Sequence, residues 1–106
     1  MQRYYYNETF SRFLTQNSEY VLGCMDKINE FDLTIEQRGA WLEEIDLMKG
    51  VVAALNRDGQ ILFEYTIPRL GKRVDVILLV GGIIFTIEFK VGAESFLVND
   101  KEQVWD

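Results

Sequence analysis

Arg73-Val74-Asp75-Val76-Ile77-Leu78-Leu79-Val80-Gly81-Gly82-Ile83-Ile84-Phe85-Thr86-Ile87-Glu88-Phe89-Lys90 is the stretch on which the reading of the fold turns. Two runs rich in β-branched and aromatic residues flank a Gly-Gly pair, which a two-residue hairpin turn requires because glycine tolerates positive φ. The pattern predicts strands over about 73–80 and 83–91. Setting Val80 opposite Ile83 fixes the register, so that Asp75 falls opposite Glu88 and Arg73 opposite Lys90. Strict alternation then puts Val74, Val76, Leu78, Val80, Ile83, Phe85, Ile87, Phe89 and Val91 on one core face. The other face carries Ile77, Leu79, Ile84 and Thr86 near the turn, and the charges Arg73, Asp75, Glu88 and Lys90 at the far end.

Upstream, Ile61, Phe63, Tyr65 and Ile67 alternate with Leu62, Glu64 and Thr66, and Pro68 with Gly71 closes that strand in a turn. A three-stranded antiparallel meander results. Before it, Asn56-Arg57-Asp58-Gly59 is a stop signal for the longest helix. That helix opens at the capping box of Thr34 and Gln37, runs about six turns, and presents Trp41, Ile45, Met48, Val52 and Leu55 as one stripe. Two shorter amphipathic helices lead in. Asn7 is expected to cap the first, which carries Phe10, Phe13 and Leu14. Ser18 is expected to cap the second, which carries Val21, Leu22, Met25 and Ile28. Downstream, Asp100 with Gln103 reads as a further helix start bearing Val104 and Trp105. A helix cut within one turn of its cap is unstable alone, so the chain is expected to be a piece of a longer one.

The expected fold is therefore α+β, of the α/β sandwich type: N-terminal helices and a long helix packed on an antiparallel meander. Residues 1–33 form a helical lead-in and 34–106 the core, within one domain. The length of 106 residues, 48% hydrophobic and 26% charged, suits one globular domain. There is no histidine, which excludes a Ser-His-Asp triad and any imidazole-bound zinc. A single cysteine, Cys24, permits no internal disulfide and fits a reducing compartment; it reads as a small buried hydrophobe. No secretory signal opens the chain, and its longest apolar run, 76–87, is short of the roughly 20 residues that span a bilayer. A cytoplasmic location without membrane contact is expected.

The net charge of −6 opposes the use of the whole chain as a nucleic-acid clamp. Its distribution is uneven. Residues 57–92 hold five basic and four acidic groups, whereas 1–56 hold five and nine, and 93–106 hold one and four. The least acidic third also carries the four charges at the hairpin's far end. Two directly opposed carboxylates repel unless a cation compensates. Mg²⁺ or Mn²⁺, taking carboxylate oxygens together with water and phosphate, would do so, and two acids with open coordination positions suit phosphodiester chemistry. Lys90, two residues beyond Glu88, would then help to activate water. The same four charges also satisfy an ordinary strand end with diagonal pairs, Asp75 with Lys90 and Arg73 with Glu88.

Phe63-Glu64-Tyr65-Thr66-Ile67-Pro68-Arg69-Leu70-Gly71-Lys72-Arg73-Val74-Asp75 followed by Ile87-Glu88-Phe89-Lys90-Val91-Gly92 resembles the PD-(D/E)XK nuclease superfamily. More narrowly, the chain from Tyr4 onward is similar to the nuclease-like region that precedes a helicase-like ATPase domain in a group of bacterial proteins. Gln37, Ala40-Trp41, Glu44-Ile45 and Gln103-Val104-Trp105-Asp106 take part in that likeness. The resemblance implies that Asp75, Glu88 and Lys90 are catalytic, with Asp75 and Glu88 binding Mg²⁺ or Mn²⁺. It further implies supporting roles for Glu44 on the first core helix and Gln103 on a following helix. Val74 stands where the motif name has proline. The implied partners are nucleic acid, DNA before RNA, and an attached ATPase domain. The fold's later elements would be missing from this chain, and a sheet lacking its last strand would favour a homo-oligomer.

Arg69, Lys72 and Arg73 are positioned to meet a phosphate backbone, although a solvated turn accounts equally for Arg69 and Lys72. Glu64 reads either as an auxiliary acid or as the partner of a nearby Arg or Lys. Glu44 falls near the apolar side of its helix, as either a site acid or a boundary residue. Tyr4, Tyr5 and Tyr6 either stack on bases or pack the first helix onto the domain. Gly81-Gly82 lacks the Gly-Lys-Ser/Thr of a phosphate loop. Against a nuclease stands a second reading, a non-catalytic nucleic-acid-sensing or protein-interaction module that regulates the attached ATPase.

Overall fold

A computed structural model of the chain describes residues 3–29, 33–90 and, as a strand, 97–104. Val91, Gly92, Trp105 and Asp106, on which parts of the sequence reading drew, lie outside the described residues. The elements follow as β1 (Tyr6–Thr9), α1 (Phe10–Thr15), α2 (Ser18–Ile28), α3 (Ile35–Leu55), β2 (Gln60–Ile67), β3 (Lys72–Val80), β4 (Ile83–Glu88) and β5 (Leu97–Val104). The strands form one antiparallel sheet in sequence order, β1-β2-β3-β4-β5. The α+β class and the meander are as the sequence indicates.

Each helix starts at a polar side chain that satisfies a free backbone N–H. Thr9 Oγ1 accepts from the N–H of Arg12, and Asn17 Oδ1 from that of Tyr20, so the caps are Thr9 and Asn17 in place of Asn7 and Ser18. Asn7 sits in β1 because 6–9 pair with β2, Tyr6 opposite Phe63 and Thr9 opposite Gln60. The Thr34–Gln37 capping box is formed as expected, and α3 ends at Asn56 in the left-handed conformation, φ 49°. Gly59 follows, packed so closely that a Cβ would lie 2.4 Å from the Phe10 ring and 2.7 Å from the Leu79 carbonyl oxygen.

The helices cover one face of the sheet. Phe10, Phe13, Val21, Leu22, Met25, Ile45, Met48 and Val52 from the helices meet Tyr6, Ile61, Phe63, Val76, Leu78, Val80 and Ile87 in one core. Fully burying each aliphatic or aromatic side chain of this kind contributes about 1.5–3 kcal/mol. At its centre the rings of Tyr6, Phe13 and Phe63 pack mutually, with centroids 5.8–6.0 Å apart in tilted and edge-on geometry. Of the predicted α3 stripe, Ile45, Met48 and Val52 are buried, Trp41 is half-buried and Leu55 is exposed. Lys49 reaches from α3 to the carbonyl oxygens of Phe13 and Gln16 and closes the open end of α1.

The β3–β4 register is the one set by the Gly81-Gly82 turn, where both glycines have positive φ, and it holds from Val80–Ile83 to Val76–Ile87. The β2–β3 turn is centred one residue earlier than a Leu70–Gly71 centre would place it. Ile67 faces Lys72, and Glu64 therefore falls directly opposite Asp75.

That level interrupts the alternation. The ladder pairs Phe63 with Val76 and Tyr65 with Val74, and it skips Glu64 and Asp75 between them. Glu64 has φ 52°, in the left-handed region. Phe63 and Val76 pack under the helices, whereas Tyr65 and Val74, two residues along, pack on the opposite face with Leu62 and Ile77. Val74 is thus not part of the helix-side core, contrary to strict alternation. Two consecutive residues on each strand keep the same side, as in a β-bulge, and Glu64 and Asp75 turn toward the helices.

Downstream, 97–104 pair with β4, Ile84 opposite Gln103. The expected helix start at Asp100 and Gln103 is therefore a strand. The open edge of β4 offered a backbone ladder to this segment, and pairing along it outweighs a single helical turn, which is unstable alone.

Candidate functional site

The interruption at Glu64 and Asp75 builds a cluster of charges at one end of the sheet. Glu44 and Trp41 face it from successive turns of α3, Glu64 from β2, Arg73 and Asp75 from β3, and Tyr5 from the segment before β1. Trp41 Nε1 donates to Glu64 Oε1 at 3.1 Å. The Tyr5 and Trp41 rings meet edge to face at 5.9 Å, and the Arg73 guanidinium lies 5.1 Å from the centre of the Tyr5 ring.

The acids act on one another. Burial raises the Glu44 carboxyl to a pKa of about 8, and Asp75 and Glu64 push it in the same direction. Burial and then Asp75 raise Glu64 to about 7, against the pull of Arg73 and of the Trp41 hydrogen bond. Asp75 is raised by burial and by Glu88, while the hydrogen bond from the Phe89 N–H and the charge of Arg73 oppose that shift. No ion pair relieves this repulsion. Among the described residues the ion pairs are Glu8–Arg12 and Asp26–Arg38, both remote from the cluster. The diagonal pairs Asp75–Lys90 and Arg73–Glu88, which would make this an ordinary charged strand end, do not form.

Glu44, Asp75 and Glu88 are thus brought into one electrostatic neighbourhood from three elements distant in sequence. The anticipated direct pairing of Asp75 with Glu88 is replaced by a different contact, since β3 and β4 stop pairing at Val76–Ile87 and Asp75 Oδ2 accepts from the N–H of Phe89 at 2.8 Å. Lys90 follows the end of β4, is exposed, and makes no hydrogen bond or ion pair with a described residue. Arg69, in the turn after β2, and Lys72, the first residue of β3, are exposed, and Lys72 precedes Arg73 directly in sequence. Gln103 lies on β5, opposite Ile84. Tyr6 is buried, Tyr5 packs on Trp41, and Tyr4 joins the cluster on the opposite sheet face, so these rings pack the domain.

No protein family, curated protein or solved structure matches this chain.

The donor set is oxygen only, which suits hard divalent cations and not zinc or soft metals. Among the described residues no three acidic side chains converge closely enough to enclose an ion by themselves. A cation that keeps several waters and takes substrate oxygens, as Mg²⁺ does, needs only one or two carboxylates. One buried oxygen also lacks any partner, Glu64 Oε2. The residues therefore fit a hydrated divalent ion. In the sequence Trp41 reads as part of the core stripe and of the family likeness, without a role at the site, and Glu64 reads either as an auxiliary acid or as an ion-pair partner. The available signal was a carboxylate between Phe63 and Tyr65, where burial of a charge is costly unless it is used. Among the described residues no helix is long and apolar enough to cross a membrane.

Proposed function

We propose that this chain carries a nuclease-type site of the PD-(D/E)XK kind, for metal-dependent hydrolysis of nucleic-acid phosphodiester bonds. The observation that carries the reading is the gathering of acids around Asp75, which repels Glu44 and Glu64 and is itself repelled by Glu88, with no ion pair to any of these acids among the described residues. Such an arrangement costs stability and is sustained where a cation is to be bound. Asp75 and Glu88 would hold Mg²⁺ or Mn²⁺, with Glu44 beside them. The ion supplies a Lewis acid for a phosphoryl oxygen. Arg73, steadied on Tyr5, offers a cation to the phosphate backbone, and Arg69 and Lys72 extend it. Lys90, which has no hydrogen bond or ion pair among the described residues, would orient the attacking water and offset charge that develops on phosphorus. Gln103, paired with Ile84 toward the Gly81-Gly82 turn while Leu97 is the residue opposite Glu88, stands at the other end of β4 from the acids and takes no part in this reading. An attached ATPase domain and a cytoplasmic setting complete the reading.

The alternative, a nucleic-acid-sensing or protein-interaction module that regulates such an ATPase, is favoured by one feature: Lys90 lies past the end of β4 without contact to the acids. The test is cleavage of labelled single- and double-stranded DNA and RNA with Mg²⁺ or Mn²⁺, beside Lys90→Ala and Glu88→Ala. Cleavage that requires metal and is lost in both variants is expected. Binding of nucleic acid without cleavage would establish the regulatory module.

A further inference from the structure

Glu64 is the most deeply buried charged residue described, at 8% exposure, and half of its carboxylate is unaccounted for. Oε1 accepts from Trp41 Nε1; Oε2 is buried without a hydrogen-bond partner. A buried acceptor left without a hydrogen bond destabilises the fold, and the more so when it is charged. The backbone adds to this, since a non-glycine residue at φ 52° in mid-strand is strained. Anchoring Trp41 explains neither cost, because a neutral amide would accept the same indole hydrogen bond. What the backbone conformation achieves is to turn the Glu64 carboxylate, at the strand position opposite Asp75, onto the helix side within its electrostatic reach, where strict alternation would have turned it away.

We infer that Glu64 belongs to the cation site as a positioning residue. Fixed by Trp41, its free Oε2 accepts a hydrogen bond from the water shell of a divalent cation held by Asp75. This rests on the nuclease-type reading of the cluster and adds to it an acid from β2 and an indole from α3. Outer-shell carboxylates of this kind change metal affinity about 10–100-fold. Glu64 needs no direct bond to the ion, in keeping with the lack of three converging acids among the described residues.

The test is Mn²⁺ binding to the chain, followed by electron paramagnetic resonance of the free ion, with Mg²⁺ competition and metal-free melting curves. Glu64→Gln keeps the acceptor for Trp41 and is expected to fold, yet to weaken Mn²⁺ binding about 10–100-fold. Asp75→Asn is expected to weaken it at least as much, and Glu36→Gln, remote at the start of α3, to leave it unchanged. Wild-type affinity in Glu64→Gln beside a loss in Asp75→Asn would overturn the role of Glu64 and leave the nuclease-type site standing. An absence of Mg²⁺-competed Mn²⁺ binding in the wild type would overturn both. If Glu64→Gln does not fold, Glu64→Asp decides: it keeps the charge but withdraws the oxygen by one methylene, so an unchanged affinity would overturn the inference and a weakened one support it.

Discussion

Asp75 Oδ2 accepts the backbone N–H of Phe89 at 2.8 Å, which ties β3, one residue past its last pair with β4, to the peptide between Glu88 and Lys90. A side chain has replaced the ladder at this level, since β3 and β4 stop pairing one residue earlier. The carboxylate therefore both stands in the acidic cluster and fixes the path of the Glu-x-Lys segment. Asp75→Ala removes this hydrogen bond and is expected to cost about 0.5–1.5 kcal/mol in urea unfolding. Asp75→Asn retains an acceptor oxygen and is expected to fold at least as stably while losing Mn²⁺ binding. Equal stability of the Ala and Asn variants would refute the positional role.

The pH dependence follows from Glu44 and Glu64, whose folded pKa values of about 8 and about 7 lie above the ordinary carboxyl value of 4.5. Between those limits the folded state holds more protons than the unfolded one, so stability falls as pH rises. The contribution is greatest below about pH 4.5 and is lost by pH 8. Thermal melts at pH 5, 6, 7 and 8 without metal are expected to show declining melting temperatures, and Glu44→Gln and Glu64→Gln to flatten the decline. Each kcal/mol recovered is worth roughly 4–8 °C in a domain of this size. Mg²⁺ is expected to restore stability mainly at the alkaline end, where the acids are ionised. A melting temperature that rises from pH 5 to 8 would contradict the burial of these two acids.

How far the sequence carried this fold is clearest at the hairpin. Gly81-Gly82 determined the β3–β4 register because a two-residue turn leaves the strands no freedom, and Thr34 with Gln37 marked the start of α3 because both halves of the capping box are local. β1 escaped notice: four residues ahead of a helix show too little alternation, and its pairing with β2 depends on a partner more than 50 residues away. The strand at 97–104 was misread for the same reason, since the open edge of β4 outweighs a local helix cap. The candidate site was legible in its residue types but not in its geometry. Alternation assigned Asp75 to the face away from the core and Val74 to the core. The interruption at Glu64 and Asp75 reverses both, and it stems from contacts between α3 and the sheet that no local pattern records.

The junction between α3 and β2 depends on Gly59, whose carbonyl accepts the N–H of Phe10 at 2.9 Å. A methyl group here would meet the Leu79 carbonyl oxygen at 2.7 Å as well as the Phe10 ring. The ring can shift, but the backbone oxygen of a paired strand cannot move without disturbing the ladder. Gly59→Ala is expected to destabilise the fold by about 1–3 kcal/mol, the usual cost of overpacking. Gly50→Ala is a suitable control, since nothing lies within 4 Å of a Cβ there and alanine favours a helix interior. If the two variants unfold at the same urea concentration, the close approach at Gly59 is not a constraint on the fold.

Arg73 separates nucleic-acid binding from cation binding. It is exposed, forms no ion pair among the described residues, and rests against the Tyr5 ring, which in turn packs on Trp41. If it meets a phosphate, Arg73→Gln should weaken binding of a labelled oligonucleotide uniformly across sequences and reduce the dependence of log affinity on log salt by about one. Tyr5→Leu removes the surface that steadies the guanidinium and should weaken binding while leaving the salt dependence nearly unchanged, since the charge remains. Mn²⁺ affinity should survive both substitutions, because neither removes an acid. A loss of cation binding in Arg73→Gln with no change in the salt dependence would instead make Arg73 a structural counter-charge to the acids, and the phosphate contact would then have to be sought at Arg69 and Lys72.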